Sequence, residues 1–310
     1  MKEYQFSELQ KLKYGENPHQ KANLCSYKGM VDYEVLFKKE LSYDNVLNLN
    51  SVTEILSEFY DVNAVAITKH KKCCGVALGS TIDEAYAKAF DCDPIGSFYG
   101  TIGFSNTVNL ETAKHISSMG VKVVVAPDFA TDAMSYIDDN ASFKAVRLHT
   151  PLKDFKYIGS EDVKITPFGV LIQEKNTKEL DKDLFKVVTK TKPTKEQIED
   201  AIFGWKVAKY AQTDSAVIVK DFATKGIAQG LSNSALAVEQ ALNFACDGSK
   251  EAVLATDGII YSQDAIFAAA QARISLIIQP GGSEKDKELI ALADKYNIAM
   301  ITTGIRNHRY

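Results

Sequence analysis

The residues best equipped for chemistry in this 310-residue chain are Thr68-Lys69-His70-Lys71-Lys72-Cys73-Cys74-Gly75. They follow the β-branched run 64–68 directly, and in open α/β sheets the carboxyl ends of strands are where ligands gather. Crowded ammonium groups disfavour further protonation, so His70 is expected to be neutral and able to act as a base. Lys69 beside it can stabilise a developing oxyanion or deliver a proton to a leaving nitrogen. The plain alternative is a solvated basic loop. His70, Cys73 and Cys74 could be drawn as a metal corner, but adjacent thiols do not easily serve one tetrahedral ion, and no metal is expected.

Two other places could hold an anion. Pro280-Gly281-Gly282-Ser283 lies between a strand pattern and a helix pattern, where glycine amides can approach a phosphate; Ser283 as a simple helix cap is the alternative. The C-terminal Ile305-Arg306-Asn307-His308-Arg309-Tyr310 is rich in donors. By default it reads as a frayed end, although Arg306 could clamp a phosphate bidentately. The chain has no GxGxxG, no GxxxxGK[ST], no GxSxG and no CxxC, which removes the common nucleotide, hydrolase and redox signatures.

The elements that must position these groups are legible as alternating patterns. Helix-period stretches at 50–60, 81–91 and 109–118 alternate with apolar runs at 64–68, 101–104 and 121–126. In the second part a capping-box pattern, Thr194 with Gln197, opens a helix to about Ala211. Strand runs at 216–220, 252–255, 274–279 and 298–302 then alternate with helices near 234–246, 263–272 and 284–296. Apolar runs of this kind suit strands covered on both faces, in a parallel or mixed α/β sheet. The order implies right-handed crossovers. Segment 151–193 has the weakest periodicity, so the division between two units is expected near 190, as 1–190 and 191–310.

Composition sets the outer limits. Hydrophobic residues make up 45%, and 36 basic against 40 acidic side chains leave a charge of −4. This argues against a nucleic-acid binder. No stretch reaches the roughly 20 apolar residues of a membrane span, and the N-terminus lacks a signal-peptide pattern. The 5 cysteines, odd in number and without framework spacing, are expected to be free thiols in a reducing cytoplasm.

Taken together, several strings resemble one family, the aminoimidazole carboxamide ribonucleotide (AICAR) transformylases. Leu12-Lys13-Tyr14-Gly15-Glu16-Asn17-Pro18-His19-Gln20 resembles its RYGENPHQ signature, and Lys69 to Gly75 resembles its KHTNPCG. Asp93 to Gly100 resembles DPVSAFGG. Val188 to Thr194 and Trp205 to Lys209 resemble VVTKRxPT and AWKVAKH. Val253 to Asp257, Gln279 to Ser283 and Thr303 to Arg306 match its last third. The strings are collinear from residue 12 to the C-terminus.

The resemblance implies a fold of two tandem α/β/α subdomains of cytidine-deaminase-like type, and a homodimer with active sites at the interface. It implies transfer of a formyl group from 10-formyltetrahydrofolate to the 5-amino group of AICAR, with no metal in the chemistry. By the same resemblance His70 takes the amine proton, and Lys69 assists proton transfer and stabilises the oxyanion. Asp214, a catalytic candidate, puts a carboxylate where the family's amide helps to position the histidine. Lys13 and Tyr14 lie by the nucleotide, Arg306 binds its phosphate, and Phe98 and Asp264 fall in the folate pocket. An inosine monophosphate cyclohydrolase domain commonly precedes this unit, and the resemblance here begins too early to leave room for one, so ring closure is expected from another protein.

The chain also departs from the family pattern. Lys13 replaces Arg, Thr213-Asp214 replaces Ser-Asn, Ser234 replaces an Arg, and Ile259 to Asp264 replaces FFPFRD. A carboxylate at 214 near His70 is expected to raise the imidazole pKa. A purine-ribonucleotide-binding paralogue without turnover, or a formyltransferase for a different amine, are the alternative functions.

Overall fold

The computed structural model describes residues 3–27, 30–159, 161–181 and 185–310. An N-terminal hairpin, β1 (Ser7–Leu12) and β2 (Ala22–Ser26), forms its own two-stranded sheet and among the described residues pairs with no other strand. A short strand, β3 (Tyr33–Val35), leads into the first large unit. This runs α1 (Tyr43–Leu56), β4 (Ala64–Lys69), β5 (Lys72–Leu78), α2 (Ile82–Cys92), α3 (Pro94–Ser97), β6 (Thr101–Phe104), α4 (Leu110–Ser117), β7 (Val123–Ala126), α5 (Thr131–Asn140) and β8 (Lys144–Leu148). A connecting segment carries α6 (Leu152–Phe155), the hairpin β9 (Glu161–Thr166) and β10 (Gly169–Glu174), and β11 (Lys186–Val187).

The same element order then returns. It runs α7 (Lys195–Ala208), β12 (Ala216–Lys220), β13 (Ala223–Ala228), α8 (Ser234–Ala245), β14 (Val253–Thr256), α9 (Gln263–Gln271), β15 (Leu276–Gln279), α10 (Asp286–Lys295) and β16 (Ala299–Thr302). Local chemistry repeats too. Both α1 and α7 open with a capping box, Ser42 with Asn45 and Thr194 with Gln197. Each box satisfies two orphan amides of its helix.

The two units share one twelve-stranded sheet, in the order β11-β16-β15-β14-β12-β13-β5-β4-β6-β7-β8-β3. Within each unit a hairpin lies antiparallel to a parallel trio, β6-β7-β8 or β14-β15-β16. The fold is therefore α/β with a mixed sheet. The strands after Thr68 and Lys220, β5 and β13, stand where the periodicity reads as loop. They turn back directly instead of crossing over.

Helices α1 and α7 cover one face of the sheet through Val52, Ile55, Leu56, Phe203 and Val207, packed on Ala66, Val125 and Val217. The remaining long helices cover the other face in two clusters, one per unit. Burial of these branched side chains, at roughly 1.5–3 kcal/mol each, is the main stabilising term. Two glycines make the helix contacts possible. A Cβ on Gly75 would lie 1.9 Å from the Ala89 carbonyl oxygen of α2, and one on Gly226 would lie 2.3 Å from that of Ala241 in α8. None of the described helices is long and apolar enough to cross a membrane.

Candidate active site

Lys69 and His70 sit at a two-residue hairpin turn between β4 and β5. His70 and Lys71 have φ values of 53° and 64°, a left-handed pair that costs non-glycine residues about 1–2 kcal/mol each. Helix α1 compensates. The Lys71 amide donates to Asn48 Oδ1 at 2.9 Å, and the Thr68 hydroxyl donates to the Asn48 carbonyl at 3.2 Å. The second unit uses the same device: Asp200 of α7 accepts from the amides of Asp221 and Phe222 at 2.9 and 2.7 Å.

The turn projects its side chains from the sheet edge. The Lys69 ammonium donates to the Phe98 carbonyl at 2.9 Å, and the rings of Phe98 and Tyr99 meet edge to face at 4.3 Å. His70 is exposed, and the Asp44 carboxylate at the start of α1 lies 3.8 Å from its Nδ1. Asp44 is thus the carboxylate beside His70 within one chain, and Asp214 of the same chain stands apart from that turn. Cys73 and Cys74 point to opposite faces of the sheet and are buried in different apolar clusters. Burial pushes both thiols up, Cys74 to about 12, so they pack as small hydrophobes.

Asp214 belongs to a second cluster. One ligand-type atom each of Asp214, Asp257 and His308 lies within 4.8 Å of the others. Buried Asp257 is held by the Thr213 hydroxyl at 2.6 Å and the Ser215 amide at 2.7 Å. Asp214 is raised above the ordinary carboxylate range, by burial first and the Asp257 charge next, against an opposing pull from His308. Sequence reasoning missed Asp257 and His308 as partners of Asp214. Both follow strand patterns it had recognised, but seeing them together needs the return of β13, because the start of β12 pairs with the ends of both β13 and β14.

The C-terminal tail is ordered, contrary to its reading as a frayed end. Asn307 donates its amide to the Asp257 carbonyl at 2.9 Å, and Thr213 donates to the Arg309 carbonyl at 3.0 Å. Arg309 ties the tail to Glu54 of α1 at 2.6 Å. These contacts hold Arg306 at the same sheet edge, with its guanidinium exposed and without a partner among the described residues. The glycine turn at 280–283 is not an open anion cradle. The Gly282 and Ser283 amides are taken by Asp286 at 2.7 and 3.1 Å.

The other expected residues lie apart. Lys13 and Tyr14 are exposed at the tip of the β1–β2 hairpin. Asp264, exposed at the start of α9, accepts from the Ser262 hydroxyl at 2.9 Å and lines a groove between α8 and α9. The His70 turn and Asp214 share one edge of the sheet, bridged by Gln229 Nε2 donating to the Cys73 carbonyl at 3.0 Å. Three strand spacings, roughly 14 Å, separate β4 from β12. Among the described residues no hydrogen bond or ion pair joins Lys69 or His70 to Asp214 or Arg306.

Comparison with known proteins adds a consistent result. A family profile described as AICARFT/IMPCHase bienzyme matches residues 1–243. The chain is 43% identical over 309 residues to the bifunctional purine biosynthesis protein PurH of Caldicellulosiruptor saccharolyticus, covering 97% of this chain and 59% of that protein. It is 38% identical over 311 residues to PurH of Thermoanaerobacter sp., with 99% and 60% covered. Against PurH of Aquifex aeolicus the identity is 36% over 310 residues, with 97% and 60% covered. The chain therefore spans about 60% of the length of these relatives.

Proposed function

Because the chain belongs to the AICARFT/IMPCHase bienzyme family, we propose that it moves a formyl group from 10-formyltetrahydrofolate to the 5-amino group of AICAR, in purine biosynthesis in the cytoplasm. The observation that carries this reading is the Lys69-His70 turn, anchored on the Phe98 carbonyl beside an aromatic pair. The AICAR amine is a poor nucleophile because its lone pair is delocalised into the imidazole. Positioning and oxyanion stabilisation must then supply most of the acceleration. An ammonium has three donors; one on Phe98 leaves Lys69 two for the tetrahedral oxyanion. With Asp44 facing Nδ1, Nε2 of His70 is the nitrogen that takes the amine proton. Arg306, without a side-chain partner among the described residues, is suited to the nucleotide phosphate, with Lys13 and Tyr14 beside it. Phe98 and Asp264 are assigned to the folate.

These groups divide into two sets on one chain, which supports a homodimer whose sites are shared between copies. The β9–β10 hairpin supports it too: Phe168 at its turn is 102% exposed, Ile165 82% and Leu171 64%, an apolar arm that needs a partner surface. In that dimer Asp214 and Arg306 of one copy would face Lys69 and His70 of the other. The division into units 1–190 and 191–310 follows the repeated element order, with both units needed for one site. Nucleic acid and membranes have no part in this reading.

The test is formation of formyl-AICAR from AICAR and 10-formyltetrahydrofolate. His70→Ala is expected to lower kcat by about 10²–10⁴-fold, and an unchanged rate would sink the assignment. Tight AICAR binding with no product from the wild-type protein would select the non-catalytic nucleotide binder. Product with another amine alone would select the different-amine transferase.

A further inference from the structure

The N-terminal hairpin and the first unit enclose a half-open cavity of about 200 Å³, whose lining includes neither Lys69 nor His70. Leu24 of β2, Val46 and Leu49 of α1, Leu148 of β8 and Phe155 of α6 form its walls. Apolar walls leave enclosed water without hydrogen-bond partners, and cavities of about 150 Å³ with such walls take a benzene-sized body.

Polar groups collect at one end. Tyr27 and Lys175 both line the cavity. A Cβ placed on Gly159 would lie 2.9 Å from the Tyr27 hydroxyl and 3.8 Å from the Lys175 ammonium, so both groups face one point of the rim. The ammonium donates to the Ile158 carbonyl at 2.6 Å, which leaves two of its three donors. Among the described residues Lys175 is in no ion pair, and no carboxylate lines the cavity. An apolar body would fill the space, and an anionic head would answer the one cation at its mouth.

The cavity joins two elements that serve the candidate active site. The hairpin carries Lys13 and Tyr14 at its tip, while α1 places Asp44 beside His70 and Asn48 against the Lys71 amide. We propose that the cavity is an effector site for a small carboxylate with an aromatic or branched apolar body. The carboxylate sits on Lys175 and Tyr27, and the occupant ties the hairpin to α1. It touches none of the reacting groups. Its effect comes from binding the docked hairpin better than an undocked one.

Isothermal titration of the full chain with 3-phenylpropionate and its uncharged amide, 3-phenylpropanamide, tests the site. The carboxylate is expected to bind with a Kd of about 0.1–1 mM, about tenfold tighter than the amide. Lys175→Met is expected to bring the two affinities together. Leu24→Trp, which fills the cavity, is expected to abolish both with far-UV circular dichroism unchanged. At about ten times Kd, 3-phenylpropionate is expected to slow amide hydrogen exchange in β1 and β2 about tenfold. No binding of either probe, or affinities unchanged in both variants, would overturn the site. Equal affinities for the two probes in the wild type would overturn the anionic head, and binding that leaves exchange in the hairpin unchanged would overturn the tie to α1.

Discussion

Glu58 and Lys209 form the ion pair, among the described residues, that is buried on both sides, with side chains 5% and 1% exposed. The pair joins the end of α1 to the end of α7, and so links the two units. The Lys209 ammonium donates to Glu58 Oε1 at 2.7 Å and to the Lys178 carbonyl at 3.0 Å. The Tyr210 hydroxyl donates to the same carboxylate oxygen at 2.9 Å, and Lys206 donates to the Glu58 carbonyl. Lys209→Met leaves the carboxylate buried without its cation. Removing one partner of such a pair costs about 3–5 kcal/mol. The Tyr210 hydroxyl stays in place, and one such bond to a charged group is worth about 1.5–3 kcal/mol, so the lower end, about 3 kcal/mol, is expected. Trp205, the single tryptophan, lies with its ring 5.9 Å from the Lys209 ammonium. Its fluorescence in urea unfolding therefore reports on this joint. Glu58→Gln/Lys209→Met removes both charges and is expected to be at least about 1 kcal/mol more stable than the sum of the single losses allows. A Lys209→Met cost under about 1 kcal/mol, or strict additivity in the double variant, would refute the reasoning.

Three other outcomes are expected. Phe168→Asp with Ile165→Asp should shift the chain from dimer to monomer in light scattering without changing its far-UV circular dichroism; a dimer that persists contradicts the arm's role. Asp214 has a folded-state pKa above its unfolded value, so its ionised form is destabilising at neutral pH and the penalty is relieved as pH falls through the folded value. Asp214→Asn should then stabilise the chain at neutral pH by no more than about 1 kcal/mol after solvent screening, with the gain vanishing near about pH 4; a pH-independent difference contradicts this. Gly75→Ala pushes a methyl into the Ala89 carbonyl and should cost about 2–3 kcal/mol in urea unfolding, whereas a neutral result would show that α2 can move aside.

The helices and strands covered on both faces were legible because their periodicity and caps agree. The Thr194 and Gln197 capping box lies where the sequence puts it, and β12, β14 and β16 fall within a residue or two of their apolar runs. The two return strands were not legible. Their turns, His70-Lys71 and Asp221-Phe222, carry none of the Asn-Gly or Gly chemistry that marks a tight hairpin. The stabilising partners, Asn48 and Asp200, lie about twenty residues upstream on helices. The candidate site was legible as residue types at Lys69, His70 and Arg306. Its grouping was not, because Asp44 beside His70 and Asp257 beside Asp214 are brought in by tertiary register, which a linear spacing does not carry.

The central claim is that one functional site draws Lys69 and His70 from one copy and Arg306 from the other. Mixing inactive His70→Ala with inactive Arg306→Ala after reversible dissociation tests it most directly. Random reassortment makes half the dimers mixed, each with one intact site, so formyl-AICAR formation should recover to about a quarter of the wild-type rate. If the mixture stays as inactive as its components while mixed dimers are present, both sets of residues serve a site within one copy, and the shared-site account is wrong.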